Sequence, residues 1–208
     1  MALASKLDLL GAVNLMLAAS GEQKVSTLVD DGINDTDFAQ QILNEKILEV
    51  VSDGWDYNTV KVTLYPDNNN KITISKNFLR VDGAGDDYRR RLSVRNGFLF
   101  DLDTNTDQFT ETSVALKVTQ NIDFEDFPSP LRFYIARAAA RTYQMQTVGD
   151  TQIDQVLAQE EMRAWERCKK DSSKTRDKNW IHDSRSTSRL IGERNVKYTE
   201  DFNNSRPL

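Results

Sequence analysis

The chain has 208 residues, a hydrophobic fraction of 38% and a formal net charge of −5, and its single cysteine excludes an internal disulfide bond. No apolar run reaches the ~18 residues that a membrane-spanning helix needs. Residues 163–208 hold 12 Lys/Arg against 7 Asp/Glu, and the preceding residues hold 15 against 25. That acidic body argues against sequence-independent DNA binding by the body, because neutralising phosphates takes clustered cations.

Two amphipathic helices are predicted at the start of the chain. Apolar residues recur at helical spacing over residues 6–20, where Ser5 can act as the N-cap. Polar residues interrupt that run, which favours a helix over a signal peptide. A second stripe with the same spacing extends from about 35 to 52, and Gly54 can end it.

From about residue 55 to 120 the apolar pattern changes to alternation, which predicts strands with one buried face. Asn96 and Gly97 both tolerate a positive φ and predict a two-residue hairpin. Gly83-Ala84-Gly85 is predicted to be a turn, because it lacks the third glycine of a phosphate-binding loop. The predicted strands cover residues 60–64, 71–75, 91–95, 97–101 and 113–119.

Helical spacing returns in the last part of the chain. Ser129 as N-cap and Pro130 at the first helical position predict a helix over 129–147, because proline lacks the donor that the first turn leaves unpaired. A fourth helix is predicted over 151–171, with its acidic residues before its basic ones, an order that suits the helix dipole.

The order of these elements predicts an α+β fold: a helical bundle with an inserted antiparallel β domain and an extended C-terminal arm. Residues 1–54 and 129–172 are assigned to the bundle, 55–128 to the β domain and 173–208 to the arm.

The arm has no apolar period of 3.6 or 2 residues, so it cannot bury a face of its own. Its apolar residues come in separated groups on a basic string. This pattern favours a segment that orders against another protein, and the alternative is a disordered terminus. Ordering costs on the order of 1 kcal/mol per residue, so binding must bury a large surface.

The sequence offers little for catalysis or metal binding, and no cofactor is expected. His182, the only histidine, lies in the arm, whereas a catalytic base must be held within hydrogen-bond reach. Cys168 is predicted to be a small core residue of the fourth helix. Residues 101–107 resemble the start of a calcium loop, but glycine at the sixth position and glutamate at the twelfth are missing, which favours a polar hairpin loop.

Several short motifs follow one another between about residues 7 and 170. They are Ala12-Val13-Asn14, Leu17-Ala18, Gly21-Glu22, Val25-Ser26-Thr27-Leu28, Gly54-Trp55 with Asn58, Val94-Arg95-Asn96-Gly97, Asp126-Phe127-Pro128 and Arg132-Phe133-Tyr134. In order and spacing, this set resembles the tail tubular protein A family of short-tailed bacteriophages, also called the head-to-tail adaptor. No single motif is diagnostic, and the collinear set carries the resemblance.

The resemblance implies a virion protein without enzymatic activity, assembled in the host cytoplasm and located in the viral tail. Its copies would form a ring, typically of twelve subunits, between the portal protein and the tail nozzle, which is tail tubular protein B. DNA would pass through the lumen without specific binding, and tail fibres would attach near the junction with the nozzle. An acidic lumen would repel DNA and let it slide.

We expect the arm to bind the portal protein and the predicted hairpin to contact the nozzle or the fibres. Fully extended, the arm reaches at most ~120 Å. The expected hairpin contacts are Arg95, Asn96 and Gly97. The expected portal-binding residues are Arg176, Trp180, Ile181, Arg185, Arg189, Leu190, Ile191, Arg194, Tyr198 and Phe202.

Two other functions fit parts of the sequence. Acidic residues such as Glu125 and Glu160 could serve a tail-associated peptidoglycan hydrolase, since a glycosidase needs two carboxylates. The basic arm could instead bind nucleic acid, with an affinity that falls steeply with salt.

Overall fold

The computed structural model describes residues 7–28 and 34–176, without the side chains of residues 34 and 173–176. This part of the chain has four α-helices and two antiparallel sheets, which confirms the predicted α+β class. Its residues up to Lys169 belong to one compact unit. The helices are α1 (Leu9–Ala19), α2 (Asn34–Ser52), α3 (Ser129–Thr147) and α4 (Thr151–Arg176), and the strands are β1 (Thr59–Leu64), β2 (Phe78–Gly83), β3 (Leu92–Arg95), β4 (Phe98–Asp101) and β5 (Val114–Gln120).

The larger hydrophobic core lies among α1, α2 and α3, which pack against one another. The central helix is α3, which is buried around most of its circumference, and its alanines let the neighbouring helices approach closely. Phe124 and Phe127, in the segment that returns from the strands, complete this core. No helix in the described residues combines the length and the apolarity that crossing a membrane takes.

The helix boundaries differ from the predicted ones in detail. Asp8 caps α1, where its Oδ1 accepts a hydrogen bond from the Gly11 N–H at 2.8 Å, and Ser5 lies outside the described residues. Pro128 is the N-cap of α3, so the prediction of Ser129 is wrong by one position. Proline fits anywhere in a first turn, because those N–H groups have no acceptor within the helix, so Pro130 does not fix the start.

Strands β1, β5 and β2 form an antiparallel sheet in that order, and β3 and β4 form a separate hairpin. In the centre of the sheet, Val118 of β5 lies opposite Val60 of β1 and Val81 of β2. A second hydrophobic core forms around the buried face of β5. Its buried residues are Ile72, Ile74, Val81, Leu99, Phe109, Val114, Leu116 and Val118.

The hairpin predicted at Asn96-Gly97 is confirmed. Arg95 of β3 pairs with Phe98 of β4, which leaves a two-residue turn between them. Asn96 has φ 52° and Gly97 has φ 79°. Two positive φ values are what the twist of a two-residue hairpin demands, and asparagine and glycine adopt them at low cost.

The strand predicted over 71–75 is wrong as a regular strand. Ile72 and Ile74 are buried, as their alternation indicated, and their backbones bond to Leu99 and Gly97 at 2.9 Å each. Only one isolated bridge, between Thr73 and Phe98, joins this segment to β4.

Strand β2 was not predicted. It pairs with β5, but the register shifts between Phe78 and Arg80. Such a bulge interrupts the alternation of buried and exposed residues. The adjacent apolar residues at the start of β2 therefore do not show a strand pattern in the sequence.

Asn58 joins the inserted strands to the helices. This side chain is 1% exposed, and its amide donates to the carbonyls of Val51 in α2 and Gln120 in β5 at 3.0 and 2.9 Å. Its Oδ1 accepts the Trp55 N–H at 2.7 Å. One buried side chain therefore bonds the places where the chain leaves the helices and returns to them.

Arg90 organises the region around β4. Its guanidinium donates to Asp101 Oδ2 at 2.7 Å and to Glu111 Oε1 at 2.9 Å. The other carboxylate oxygen of Asp101 accepts the backbone N–H groups of Asp103 and Thr104. The bonds between Asp101 and Thr106 close a tight turn, which confirms the polar hairpin loop at residues 101–107.

Substituting Gly83 by alanine is expected to destabilise the fold. A Cβ at this position would lie 2.0 Å from the Asp87 carbonyl oxygen, and that backbone atom cannot move without disturbing the turn after β2. We expect Gly83→Ala to lower the free energy of unfolding by about 2–3 kcal/mol, measured by urea denaturation. Gly21→Ala is the control: with φ 79° and open space around it, it should cost only ~1 kcal/mol. Equal losses would contradict the steric account.

A second prediction concerns acid stability. Burial raises the pKa of Asp101, but hydrogen bonds from Arg90 and from two backbone N–H groups lower it further, with a net decrease. A carboxyl with a lowered folded pKa stabilises the fold above its unfolded value of ~3.9, and this stabilisation is lost as the pH falls through the folded value.

We therefore expect Asp101→Asn to cost about 2 kcal/mol at neutral pH. Below pH ~4, the free energy of unfolding should fall more steeply in the unsubstituted protein than in the variant. Denaturant titrations between pH 3 and 7 (about the range over which carboxyls titrate) measure this difference. Parallel pH profiles would contradict it, and Asp86→Asn, at an exposed position, is the matched control.

Candidate functional site

The predicted portal-binding residues lie almost entirely outside the described part of the chain. Arg176 is the last residue of α4, and its side chain is not described. Their role in binding stays a prediction, and His182 lies in the same segment. The residues outside the described part are Trp180, Ile181, Arg185, Arg189, Leu190, Ile191, Arg194, Tyr198 and Phe202.

The predicted contacts at the hairpin form an exposed tip between β3 and β4. Arg95, Asn96 and Gly97 are all exposed. The Arg95 guanidinium lies 3.8 Å from the centroid of the Phe100 ring, a cation–π contact that holds it along the hairpin. The tip is therefore a short, conformationally defined surface, and its binding to a nozzle or fibre stays a prediction.

Arginine–carboxylate pairs join α4 to α3. Arg137 bonds to Glu160, and Arg141 bonds to Asp154 at 2.7 Å and to Glu161 at 3.1 Å. Hydrogen bonds to these two carboxylates raise the pKa of Arg141, and the hydrogen bond from Arg141 lowers the pKa of Asp154. These opposite shifts show that each charge stabilises the other.

Trp165 adds aromatic contacts to the attachment of α4, beside the buried Leu157, Ala164 and Cys168. Its ring lies 4.8 Å from that of Tyr134 in α3 and 5.6 Å, edge to face, from that of Trp55. The Lys169 ammonium lies 5.3 Å from the Trp165 ring. Aromatic contacts of this geometry stabilise beyond the area that they bury.

Two open grooves accompany the attachment of α4. The first, about 420 Å³, lies between α3 and α4 and is lined by Pro130, Phe133 and Arg163 among others. The second, about 590 Å³, lies beside α1 and is lined by Leu15, Ala18 and Lys24 among others. Arg137 lines both, so they are neighbours on one surface, which we call the α1/α4 groove.

Large apolar side chains are exposed on these helices. Val156 and Met162 of α4 are 59% and 64% exposed, and Phe133 of α3 is 44% exposed. Single exposed apolar residues are ordinary on monomers. Several on one helix pair, beside apolar grooves, mark a surface that other protein can cover.

The two carboxylates named for a peptidoglycan hydrolase both make structural contacts. Glu160 pairs with Arg137, and Glu125 Oε1 accepts the Leu9 N–H at 3.3 Å, so both carboxylates are engaged in structural contacts. Cys168 is 2% exposed in the helical core, which confirms its predicted core position. Within the described part of the chain, His, Cys, Asp and Glu side chains form no group that could hold a metal ion.

The sequence analysis missed the buried polar residues that hold the fold. Arg132 is 2% exposed and donates to the carbonyls of Phe127 and Leu7 at 2.8 and 2.9 Å. A prediction from helical periodicity places an arginine on the surface, because the sequence does not show the hydrogen bonds that allow its charge to be buried. Both Arg132 and Asn58 belong to the motifs that carry the resemblance. That membership was the sequence feature that could have marked them as structurally important.

The attachment of α4 predicts the effect of one substitution. Trp165→Ala should lose the contacts with Tyr134 and Trp55 and cost about 2 kcal/mol, with faster amide exchange in α4 than in α1 to α3. Hydrogen-exchange mass spectrometry measures this directly. Met162→Ala, at an exposed position of the same helix, is the control and should leave exchange unchanged. Uniform loss of protection in all four helices after Trp165→Ala would contradict a separate attachment.

The comparisons with known proteins agree with the resemblance. The sequence matches the family described as Tube, Tail tubular protein, over residues 10–178, which includes every strand and nearly all of the four helices. It is 30% identical over 143 residues to tail tubular protein A of Klebsiella phage KP34, in an alignment that covers 68% of this chain and 75% of that protein. The chain therefore belongs to the tail tubular protein family and is a structural component of a bacteriophage virion tail.

Proposed function

We propose that this chain is a head-to-tail adaptor, whose copies form a ring of about twelve subunits with closed symmetry between the portal protein and the tail nozzle. The observation that carries the proposal is the family match over residues 10–178, because it spans both the helical core and the inserted strands. The division into a helical bundle (1–54 and 129–172), a β domain (55–128) and an arm belongs to the same proposal.

The surface of α3 and α4 supports assembly into a ring. The assembly would be stabilised if neighbouring subunits covered the exposed apolar side chains of Phe133, Val156 and Met162. A subunit that is completed by its neighbours can also have the lean hydrophobic fraction found here, 38%.

The charge distribution supports the passage of DNA through the lumen. Residues 1–162 hold 25 Asp/Glu against 15 Lys/Arg, a net charge of −10. An acidic lumen repels phosphates, so a genome slides through it without being retained. The role is structural, and we assign no enzymatic activity and no cofactor to the chain.

We assign the portal contact to the segment after α4, with spaced apolar anchors such as Trp180 and Tyr198 and with arginines that meet acidic portal groups. The exposed tip at Asn96-Gly97 is assigned to the nozzle or the tail fibres. The ring assembles in the host cytoplasm in this proposal, where a lone free cysteine stays reduced. Many arms acting together make weak single contacts durable.

Truncation of the arm tests the portal contact. A chain that ends at Arg176 keeps α4 whole and is expected to fold with its helix content unchanged, as measured by far-ultraviolet circular dichroism. It should no longer co-sediment with portal rings of the same phage. Electron microscopy of the full-length chain with portal should show an added ring on the portal. Arg95→Ala, in the hairpin tip, is the control and should keep portal binding. Undiminished binding by the truncated chain would refute the role of the arm.

A further inference from the structure

We propose that neighbouring subunits associate head to tail, with the exposed side of α2 in one copy lying in the α1/α4 groove of the next. This inference rests on the proposed ring and adds which surfaces form its contacts. The exposed side of α2, called the α2 ridge, comprises Asp37, Gln41, Glu45, Leu48 and Ser52.

The α2 ridge has the spacing and composition of a docking helix. Its exposed positions recur at intervals of three and four residues, so they lie on one side of the helix, opposite the buried stripe that contains Leu43 and Val50. Leu48 stands near its middle and is 48% exposed. A single apolar side chain on a polar helix face is a suitable anchor for an apolar groove.

The α1/α4 groove offers complementary shape and chemistry. Phe133 and Pro130 line its floor beside α4. Val156 lies one turn before Glu160 on the flank of α4 that borders the groove, and this flank continues to Arg163 and Arg167. A ridge leucine would meet Phe133 and Val156 there and remove apolar area of both copies from water.

The charges of the two surfaces are opposite. The α2 ridge carries two acids, Asp37 and Glu45, and no basic residue. Elsewhere on α2, the single lysine, Lys46, pairs with Glu49. In the groove, Arg163 and Arg167 make no ion pair with any described residue, whereas Arg137 is neutralised by Glu160. Opposite potentials steer association and fix the register of an interface.

The two surfaces lie on opposite sides of the helical core. The buried stripe of α2 packs in the core shared with α1 and α3, so the ridge on its other side faces away from these two helices, which line the groove. A contact between two different and opposite surfaces cannot close as a two-fold dimer. It adds copies in one direction and closes as a ring when the rotation permits.

Charge reversal on each surface tests this pairing. The groove variant carries Arg163→Glu and Arg167→Glu, and the ridge variant carries Asp37→Arg and Glu45→Arg. When only one variant is present, every contact between a ridge and a groove joins like charges. We therefore expect each variant to form no multi-subunit species, either in solution or on purified portal of the same phage. Analytical ultracentrifugation and mass photometry measure the masses.

Mixing the two variants in equal amounts should restore assembly. In the mixture, a native groove meets a native ridge, and a reversed groove meets a reversed ridge, so contacts between unlike variants join opposite charges. Recovery on mixing also excludes misfolding as the cause of the loss. Lys61→Glu with Lys76→Glu, at exposed positions of the β region, changes the net charge as much as the groove variant does and should leave assembly intact.

The outcomes separate the inference from the proposed function. If the unsubstituted protein forms multi-subunit species and either variant does too, the pairing of ridge and groove is overturned and the ring stands. If the groove variant keeps its rings but leaves the portal, the groove binds portal and the pairing is again overturned. If the unsubstituted protein forms no multi-subunit species even on portal, the proposed ring fails, and the inference fails with it.

Discussion

The arrangement of helices and strands depends on one buried amide, that of Asn58. The inserted strands leave the helical core after α2 and return to it after β5, and this side chain bonds to the backbone at both places. Its Oδ1 also accepts the Trp55 N–H. A buried amide with three satisfied bonds fixes geometry strongly, since loss of the side chain would leave buried backbone groups without partners. The hairpin tip and the helical grooves therefore keep fixed positions within one compact unit.

The attachment of α4 differs in kind from the packing of the other helices. The alanines of α3 let α1 and α2 pack closely, whereas arginine–carboxylate pairs and the Trp165 ring hold α4 in addition to its buried residues such as Cys168. Long side chains span a wider separation, and they leave grooves beside the helix. This arrangement leaves apolar side chains such as Phe133 and Val156 exposed while the core remains closed.

Particular elements show how far the sequence predicted the fold. The turn at Asn96-Gly97 was predictable because its φ values depend on those two residues alone. Residues 71–75 were misread because alternation reports burial and not pairing, and Ile72 and Ile74 are buried without a continuous ladder. Strand β2 was missed because its bulge disrupts alternation.

The sequence by itself determined the α+β class, the positions of the four helices within a few residues, the hairpin turn and, through a collinear set of motifs, the family. These features depend on local periodicity, on backbone preference or on residues in order along the chain. Only the tertiary structure decided that Asn58 and Arg132 are interior polar anchors, that Asp101 bonds to Arg90, and that grooves lie beside α1, α3 and α4. These features depend on how separate elements meet, as where Asn58 bonds to Gln120 and Arg132 to Leu7, and no local pattern contains that geometry.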